Sequence, residues 1–416
     1  MRSEEPTDVS IVMPCLDEAR SLAHCIASAR AALEQLRVRR GFRGEIVIAD
    51  NGSTDGSQAL ARSLGARVVP VTERGYGAAL RGGFAAATGR YLVMGDADGS
   101  YEFRDAVAMV EALADGADLC MGSRFKGGIA PGAMPWKNRW IGNPVLTGIL
   151  NLLFRTGATD AHCGLRALTR GCYERLGLTG SGMEFASEML IKASLKRERI
   201  AEVPATLSPD LRGRPPHLRP WRDGWRHLRY LLMLSPSGVF AAPAAVGGGA
   251  SILVLGAASS AALLRPNAPS FFGDYWVILA AAVLGLSHMA MILAVAGHLY
   301  GVREGYRRPK AWIRRLGGWI SLESMALTGA ASAVAGFAVL AGVAAAWTAR
   351  DFLPADSVLL PVLGTVLMTL GMQNVLGGFL LAIVGGNEAR FLHAGRQARL
   401  DGRLVPAPPS SAFQEA

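Results

Sequence analysis

The chain has 416 residues, of which 50% are hydrophobic, and its 43 Lys and Arg against 33 Asp and Glu give a formal net charge of +10. This length allows more than one domain. The arginines cluster beside apolar segments, which favours an anionic membrane surface as the partner and argues against nucleic acid.

Composition divides the chain into two parts. Residues 1 to 234 mix charged and apolar residues as a soluble α/β domain does, whereas residues 235 to 386 contain long stretches with almost no charge. The 5 cysteines form no C-x-x-C pair, so we expect free thiols in a reducing compartment. The segment MRSEEPTDVS is acidic and polar, which predicts no cleavable signal peptide and a first domain in the cytosol.

Strands and helices are predicted to alternate along the first part of the chain. Strands and helices that alternate with short loops indicate a largely parallel sheet covered by helices on both faces. The periodicity predicts strands at 9–14, 45–49, 67–71 and 91–94, a helix at 16–33, a second helix from Ser57, and a Gly-rich turn and helix within 73–89.

Four loops are predicted to meet at one edge of this sheet. Pro14, Asp50, Gly75 and Asp96 fall at the ends of successive strands. In such sheets ligands bind at the carboxyl ends of the strands, so the four loops define one crevice. Neither a P-loop nor the dinucleotide-binding fingerprint is present.

Asp96 and Asp98 follow the apolar run that ends at Met94. Residues two apart in an extended segment lie on one side and can share a target. Mg²⁺ or Mn²⁺ takes one or two protein carboxylates and fills its other positions from a substrate diphosphate and water. Asp and Gly also favour an ordinary strand-ending turn, so the surrounding motifs decide between the two interpretations.

Five ordered motifs carry a resemblance to a known family. They are VSIVMPCLDEARSL, IVIADNGSTDGS, RGYGAALRGGFAAATGRYLVMGDADGSY, MGSRF and DAHCGLRAL. Over roughly residues 8 to 230 the chain resembles a family 2 glycosyltransferase of the GT-A fold, and within it the polyprenyl-phosphate sugar synthases of the dolichol-phosphate glucose and mannose synthase type. The resemblance implies metal-dependent, inverting transfer of a hexose from a nucleotide sugar to an isoprenoid phosphate, with UDP-glucose the first candidate donor and GDP-mannose the second.

The resemblance also assigns roles to positions of this chain. It implies that the nucleotide sugar contacts Pro14, Glu18, Asp50, Gly75, Gly77 and Asp96. It implies that Asp98 and Asp96 hold Mg²⁺ or Mn²⁺, and that Arg124, Arg139 and Asn143 bind the acceptor phosphate. Asp96, Asp98, Arg124 and Arg139 are therefore the candidate catalytic residues. A planar guanidinium suits phosphate oxygens, although Arg139 could instead be a solvated cation on a helix face.

Three positions depart from the family pattern. Asp17 stands where the family commonly has Asn, and Asn51 where it commonly has a second Asp. Ser100 stands where mannose synthases tend to have a Gln associated with the metal. These departures leave the fold intact, but they leave undetermined which nucleotide base and which sugar the donor carries.

The acceptor side is predicted to involve residues 145 to 200. Asp160 and Arg166 resemble recurring family positions, and a predicted helix carries Glu184 and Glu188 one turn apart. The alternative for the two glutamates is an exposed helical face, with Glu188 paired to Lys192.

The segment 201–234 contains five prolines and six arginines, followed by Trp and Leu at helical spacing. This pattern is typical of an interfacial amphipathic helix at a membrane surface. Arg212 and Arg214 of this segment could also reach the donor diphosphate.

Four apolar segments are long enough to span a bilayer, at roughly 239–264, 275–300, 322–347 and 358–385. Basic residues concentrate between the second and third segments and in the tail, so the positive-inside rule places both termini in the cytosol and the chain in the cytoplasmic (inner) membrane. Small residues such as Gly247 and Gly377 would let helices approach within one chain or in a homo-oligomer. His288, His298, Gln373 and Asn374 are interpreted as hydrogen-bonding between helices, with a polar path as the alternative.

The predicted organisation is therefore a GT-A domain at 1–200, a basic juxtamembrane segment at 201–234, an all-α transmembrane domain of four helices at 235–386 and a basic cytosolic tail at 387–416. Two other functions stay open. A hydroxyl lipid such as a diacylglycerol or sphingoid could be the acceptor, with Asp160, Glu184 or Glu188 as the general base. The other is a lipid-linked sugar transporter, whose soluble domain would bind its ligand without catalysing a reaction.

Overall fold

The computed structural model describes residues 7–213, 220–264, 271–307, 317, 320–353, 357–387, 389 and 391. The chain divides into two compact units, Met1–Met233 and Leu234–Ala416.

A seven-stranded mixed sheet forms the centre of the first unit. The strands are β1 (Val9–Cys15), β2 (Gly44–Asp50), β3 (Arg67–Pro70), β4 (Tyr91–Met94), β5 (Leu119–Ser123), β6 (Arg166–Thr169) and β7 (Ile200–Pro204). They lie in the order β3-β2-β1-β4-β6-β5-β7. β6 runs antiparallel to β4 and β5, and every other neighbouring pair is parallel.

Helices cover both faces of this sheet. They are α1 (Ala19–Arg40), α2 (Ser57–Ser63), α3 (Tyr76–Ala86), α4 (Ala106–Ala114), α5 (Arg124–Gly127), α6 (Asn143–Phe154), α7 (Arg170–Leu176), α8 (Glu184–Lys196) and α9 (Pro220–Met233). α1, α2 and α4 bury one face of the sheet in the main hydrophobic core. On the other face, Phe84 of α3 packs against Tyr173 of α7 and Phe185 of α8, with ring centroids 5.1 and 6.4 Å apart.

The predicted strands of the first part are present, and the predicted first helix extends to Arg40. The sequence pattern did not predict β5, β6 and β7. β7 is an edge strand of half-buried residues, so its apolar signal is weak. It continues the sheet to Pro204, past residue 200, where the first domain was predicted to end.

Among the described residues of the second unit, four apolar helices have membrane-spanning length, as predicted. They are Ser237–Leu264, Asp274–Arg303, Leu322–Thr348 and Leu359–Val384. We label the α-helices α10 (Ala242–Leu264), α11 (Asp274–Arg303), α12 (Leu322–Thr348) and α13 (Leu359–Val384). Many of the charges used for the orientation lie outside the described residues: Arg265, Arg308, Lys310, Arg314, Arg315, Arg390, Arg396, Arg399 and Arg403.

Hydrogen bonds join the spanning helices through polar side chains. A ring nitrogen of His288 in α11 lies 3.0 Å from the side-chain oxygen of Gln373 in α13. The amide of Asn374 donates to the Thr328 hydroxyl in α12 at 3.0 Å. These contacts support the interpretation of His288, Gln373 and Asn374 as links between helices.

Glycines let α12 and α13 pack with their backbones in contact. A Cβ added at Gly336 would lie 2.5 Å from the Met368 backbone nitrogen and 2.6 Å from the Gly364 carbonyl oxygen. We therefore expect Gly336→Ala to lower the stability of the second unit by about 1–3 kcal/mol through overpacking. Thermal unfolding of the detergent-purified chain measures this change.

Gly342→Ala is the matched control, because a Cβ at Gly342 of the same helix meets nothing within 4 Å. We expect this variant to unfold at or slightly above the wild-type temperature, since Ala has the higher helix propensity. Equal unfolding temperatures for the two variants would contradict the close packing of α12 against α13.

Candidate active site

The mixed sheet brings two distant loops to one edge. β6 is antiparallel to β4, and its first residue, Arg166, pairs with Met94 at the end of β4. The loop that precedes β6 therefore lies beside the loop that follows β4. A Cβ added at Gly164 would come within 2.7 Å of the Asp96 carboxylate.

Asp50 ends β2 and is buried. Its carboxylate accepts hydrogen bonds from the backbone of Gly52 and Ser53 at 3.1 and 3.2 Å and from the Gln58 amide at 2.7 Å. Pro14 pairs with Ala49 in the register of β1 and β2, so it lies one residue from this site. This edge of the sheet carries a carboxylate held in a fixed orientation.

The departures from the family pattern have structural roles. The side-chain amide of Asn51 donates to the carbonyls of Val71 and Glu73 at 3.0 and 2.7 Å, which a second Asp could not do. The Ser100 hydroxyl donates to Asp98 at 2.6 Å, and the Asp17 carboxylate accepts from the Thr54 backbone at 2.7 Å. All three residues fix loops at the same edge of the sheet.

Gly75 and Gly77 leave room for another part of the chain. A Cβ at Gly75 would lie 2.2 Å from the Ser181 carbonyl oxygen, and one at Gly77 would lie 2.4 Å from the Gly180 carbonyl oxygen. Gly75 also has a φ of 134°, which side chains rarely adopt. The space at these predicted nucleotide-sugar positions is thus filled by the loop before α8.

Asp96 and Asp98 lie together after β4. Burial and the charge of Asp98 raise the pKa of Asp96 to about 6, against the hydrogen bond from the Tyr76 hydroxyl and the charges of Arg212 and Arg124. Asp98 is itself buried and accepts from the backbone and hydroxyl of Ser100. The pair is a concentrated negative charge at the edge of the sheet.

Arg124 forms a buried, two-pronged ion pair with Asp160. Its Nε and Nη2 donate to the two carboxylate oxygens at 2.6 and 2.7 Å, and its backbone N–H donates at 3.0 Å. Burial opposes ionisation of Asp160, but the Arg124 hydrogen bonds hold the pKa of that carboxyl below its usual value. Glu202 of β7 supports the pair, because it accepts from the backbone of Thr159 and Asp160 at 2.8 and 3.2 Å.

Arg139 lies beside an exposed apolar strip. Its guanidinium carbon is 5.3 Å from the Trp140 ring centroid, and within the described residues it makes no ion pair. Asn143, which starts α6, donates to the Met134 sulfur at 3.4 Å. The exposed apolar strip consists of Trp136, Trp140, Ile141, Val145 and Leu152.

Arg166 has a structural environment. It is fully buried and donates to the carbonyls of Cys163, Ala161 and Ala186, and burial lowers its pKa. These bonds tie the loop before β6 to α8. The resemblance predicts Arg166 on the acceptor side, and in the structure its guanidinium fixes the loop before β6.

The alternative of an exposed helical face is wrong for Glu188, which is fully buried in α8. The predicted ion pair with Lys192 is present at 2.6 Å. Glu188 also accepts from the backbone of Thr179 and Gly180 at 3.1 and 2.7 Å, so it fixes the loop that packs on Gly75 and Gly77. Glu184 is half-buried and accepts from the Gly182 backbone at 2.9 Å.

Arg212 lies at the carboxylates, whereas Arg214 lies outside the described residues. The Arg212 guanidinium contacts Asp98 Oδ2 at 2.5 Å and Glu18 Oε1 at 3.4 Å. Arg212 is thus joined to residues that lie 114 and 194 positions away in the chain.

The carboxylates fit a divalent cation that is completed by substrate. In the part of the chain that the structure describes, no three His, Cys, Asp or Glu residues are grouped to hold a metal by themselves. Asp96 and Asp98 nevertheless offer hard oxygen ligands, and Asp98 already binds a cationic group in Arg212. Mg²⁺ or Mn²⁺ with its other ligands from a diphosphate and water suits such a pair.

Sequence reasoning missed Tyr76, Gly164 and Glu202 as residues of the site. Gly164 stands inside the motif DAHCGLRAL, so its position was a usable signal. Tyr76 and Glu202 act through hydrogen bonds to residues far away in the chain, for which a local pattern gives no signal.

Gly164→Ala should displace Asp96, because the new methyl group would lie 2.7 Å from the carboxylate and 3.0 Å from the Tyr101 ring. A displacement near 1 Å in such a site costs on the order of a hundredfold in rate. Initial reaction rates measure the effect. Gly148→Ala is the control, since a Cβ there meets nothing within 4 Å; equal rates for both variants would refute the close approach.

Family comparisons match both parts of the chain. The model described as "Glycosyl transferase family 2" matches residues 10–177, and the model "Glycosyltransferase family 2 C-terminal transmembrane region" matches residues 295–385.

Individual proteins are similar over different lengths. The low-salt glycan biosynthesis hexosyltransferase Agl6 of Haloferax volcanii is 35% identical over 381 residues, which cover 91% of this chain and 89% of that protein. The dolichyl-phosphate hexose transferase of the same organism is 28% identical over 197 residues, covering 47% and 81%. Among solved structures, glucosyl-3-phosphoglycerate synthase from Mycobacterium tuberculosis, in complex with Mn²⁺, UDP and glucosyl-3-phosphoglycerate, has a TM-score of 0.40 and 22% identity, covering 55% of this chain and 78% of that one.

Proposed function

Because the chain belongs to glycosyltransferase family 2, we propose that it is a membrane-bound inverting enzyme that moves a hexose from a nucleotide sugar to a polyprenyl or dolichyl phosphate. The product would be a lipid-phosphate-linked sugar for cell-envelope glycan or glycoconjugate synthesis. UDP-glucose is the first candidate donor and GDP-mannose the second. One observation carries the proposal: the loop before β6 holds Asp160, which binds Arg124, and four residues later Gly164, where an added Cβ would lie 2.7 Å from the Asp96 carboxylate.

The acceptor phosphate would attack the anomeric carbon and displace the nucleoside diphosphate. A phosphate monoester is anionic near neutral pH, so the reaction demands no general base. Arg124, fixed by its ion pair with Asp160, and the less restrained Arg139 would hold this nucleophile in line. Nε and Nη2 of Arg124 contact Asp160, so its remaining guanidinium nitrogen would donate to the phosphate, and arginine keeps its positive charge throughout.

The environment of two of the three candidate general bases, Asp160 and Glu188, supports a phosphate acceptor over a hydroxyl acceptor. Asp160 is committed to two hydrogen bonds from Arg124, which lower its pKa. Glu188 is committed to Lys192 and to backbone N–H groups. A carboxylate that is stabilised in its charged form is a poor general base.

The donor side would use the carboxylates at the ends of β2 and β4. Asp50 would bind the nucleoside, with Pro14 and Glu18 near it. Gly75 and Gly77 would contribute by letting the loop before α8 pack against the Gly-rich turn. We propose that Asp96 and Asp98 hold Mg²⁺ or Mn²⁺, which when bound would neutralise charge on the departing diphosphate.

The lipid chain of the acceptor would lie on the membrane beside the exposed apolar strip. Trp140 is 69% exposed and Leu152 is 80% exposed, in a segment that also carries Arg139. Apolar and aromatic side chains next to cations are typical of surfaces at a lipid headgroup region. α9, with Trp225 62% exposed, has the same character.

We further propose that the first unit and both termini are cytosolic, in the inner membrane. The predicted organisation has a GT-A domain, a juxtamembrane segment, a four-helix domain and a tail. It would keep a soluble donor and a lipid acceptor together at the membrane surface. Arg303 and Arg307, at the end of α11, support this orientation. Glycines on the spanning helices would also allow a homo-oligomer.

Membranes containing the chain would be incubated with radiolabelled UDP-glucose, UDP-N-acetylglucosamine or GDP-mannose. Undecaprenyl phosphate and dolichyl phosphate are the test acceptors, and undecaprenol and diacylglycerol are the matched hydroxyl lipids. We expect labelled lipid from one donor with a phosphate acceptor, and loss of that product in EDTA. Product with the hydroxyl lipids alone would refute the phosphate acceptor, and full activity in EDTA would refute metal dependence.

A further inference from the structure

A strap of residues 205–213 follows β7 and lies over the loop after β4. The backbone N–H of Leu211 donates to the Asp98 carbonyl at 2.9 Å, and that of Ser208 donates to the Ser100 carbonyl at 2.9 Å. Gly99 makes room for the strap, since a Cβ there would lie 2.8 Å from the Leu211 side chain. Backbone hydrogen bonds between the strap and the loop after β4 therefore hold Arg212 at the carboxylates.

The guanidinium of Arg212 occupies the face of Asp98 that a cation would use. Asp98 Oδ1 is engaged by Ser100, and Oδ2 is engaged by Arg212. The same guanidinium lies 3.4 Å from Glu18 and 3.9 Å from Asp210. Its positive charge thus compensates a cluster of carboxylates that would otherwise repel one another.

One donor of Arg212 is unused in this arrangement. The side chain is 15% exposed, and its Nε is buried without a hydrogen-bond partner among the described residues. A buried donor without a partner costs free energy, so the guanidinium has an unmet preference for a further acceptor. Two oxygens of a phosphate group can accept from Nε and a terminal nitrogen together.

We propose that Arg212 and a divalent cation exclude each other at Asp98, and that the donor diphosphate, by accepting Arg212, releases Asp98 to bind the cation. This inference rests on the proposed function. Two positive charges at one carboxylate oxygen repel strongly in a partly buried site. Arg212 therefore keeps the carboxylates compensated before the donor binds and couples binding of the cation to binding of the donor.

Binding of Mn²⁺ alone to the detergent-purified full chain tests this exclusion, with free Mn²⁺ measured by electron paramagnetic resonance. Arg212→Gln should bind Mn²⁺ about tenfold more tightly than wild type without nucleotide, because a charge-assisted hydrogen bond no longer competes. Arg212→Lys keeps the positive charge and should stay near wild type. Arg104→Gln removes a charge from a side chain that is 61% exposed and should leave the affinity unchanged.

Asp98→Asn in the Arg212→Gln background should abolish the added affinity, which assigns it to this carboxylate. Circular dichroism and size-exclusion profiles identical to wild type establish that each variant is folded. Unchanged or weaker Mn²⁺ binding by folded Arg212→Gln would overturn the exclusion, even where sugar transfer is metal-dependent. Absence of saturable Mn²⁺ binding in every variant would overturn it too, and transfer that resists EDTA would separately overturn the metal in the proposed function.

Discussion

Asp98→Asn should reduce sugar transfer on the order of a thousandfold, while the protein still folds. Asn keeps the shape of the side chain and can still contact Ser100, which donates to Oδ1 in the wild type. It loses the negative charge that Arg212 contacts and that the proposed cation requires. Initial rates with the active donor and a saturating isoprenoid phosphate measure the loss.

Asp115→Asn is the control for removal of one carboxylate. Asp115 has a side chain that is 66% exposed and pairs with Arg40 on the surface, so we expect the wild-type rate. A rate for Asp98→Asn within a few-fold of Asp115→Asn would show that the carboxylate after β4 does not take part in the transfer.

Asp160→Ala should destabilise the first unit by about 3–5 kcal/mol, since it leaves the buried Arg124 guanidinium without its partner. The two side chains are 9% and 0% exposed, so water cannot replace the lost carboxylate. The variant also removes the acceptor of the Arg124 backbone N–H. Denaturant unfolding, followed by fluorescence, measures the change in the free energy of unfolding.

A double variant separates the structural from the catalytic contribution of this pair. Arg124→Met with Asp160→Leu replaces both charges by apolar side chains, so we expect it to recover much of the stability that Asp160→Ala loses. The double variant should not transfer sugar, because no guanidinium remains at position 124 for the acceptor phosphate. Wild-type transfer by the folded double variant would exclude Arg124 from the reaction, and a stable Asp160→Ala would contradict the buried ion pair.

Asn51 shows how a departure from a family pattern can be explained by structure. Its amide donates to two carbonyls of the segment before α3, and its side-chain oxygen accepts from the Gly75 backbone at 2.8 Å. An Asp at this position could accept but could not donate. The substitution therefore reflects how this chain holds its Gly-rich turn.

The sequence by itself determined the alternating elements of the first unit, the four spanning helices and the carboxylates after β4. These features are local, because apolar periodicity and segment length follow from residues that are neighbours in the chain. The run that ends at Met94 forms strand β4 as predicted, and the spans match the predicted segments closely. The remaining residues of the candidate site were predicted from the resemblance of five sequence motifs to those of family 2 glycosyltransferases.

The tertiary structure alone decided which of these groups meet. The antiparallel course of β6, the pairing of Arg124 with Asp160 across 36 residues and the contact of Arg212 with Asp98 across 114 depend on how distant segments pack. The same packing buries Glu188, which the helical pattern allowed to be exposed. Contacts between distant residues follow from the burial of whole layers against the sheet, and a local pattern carries no record of them.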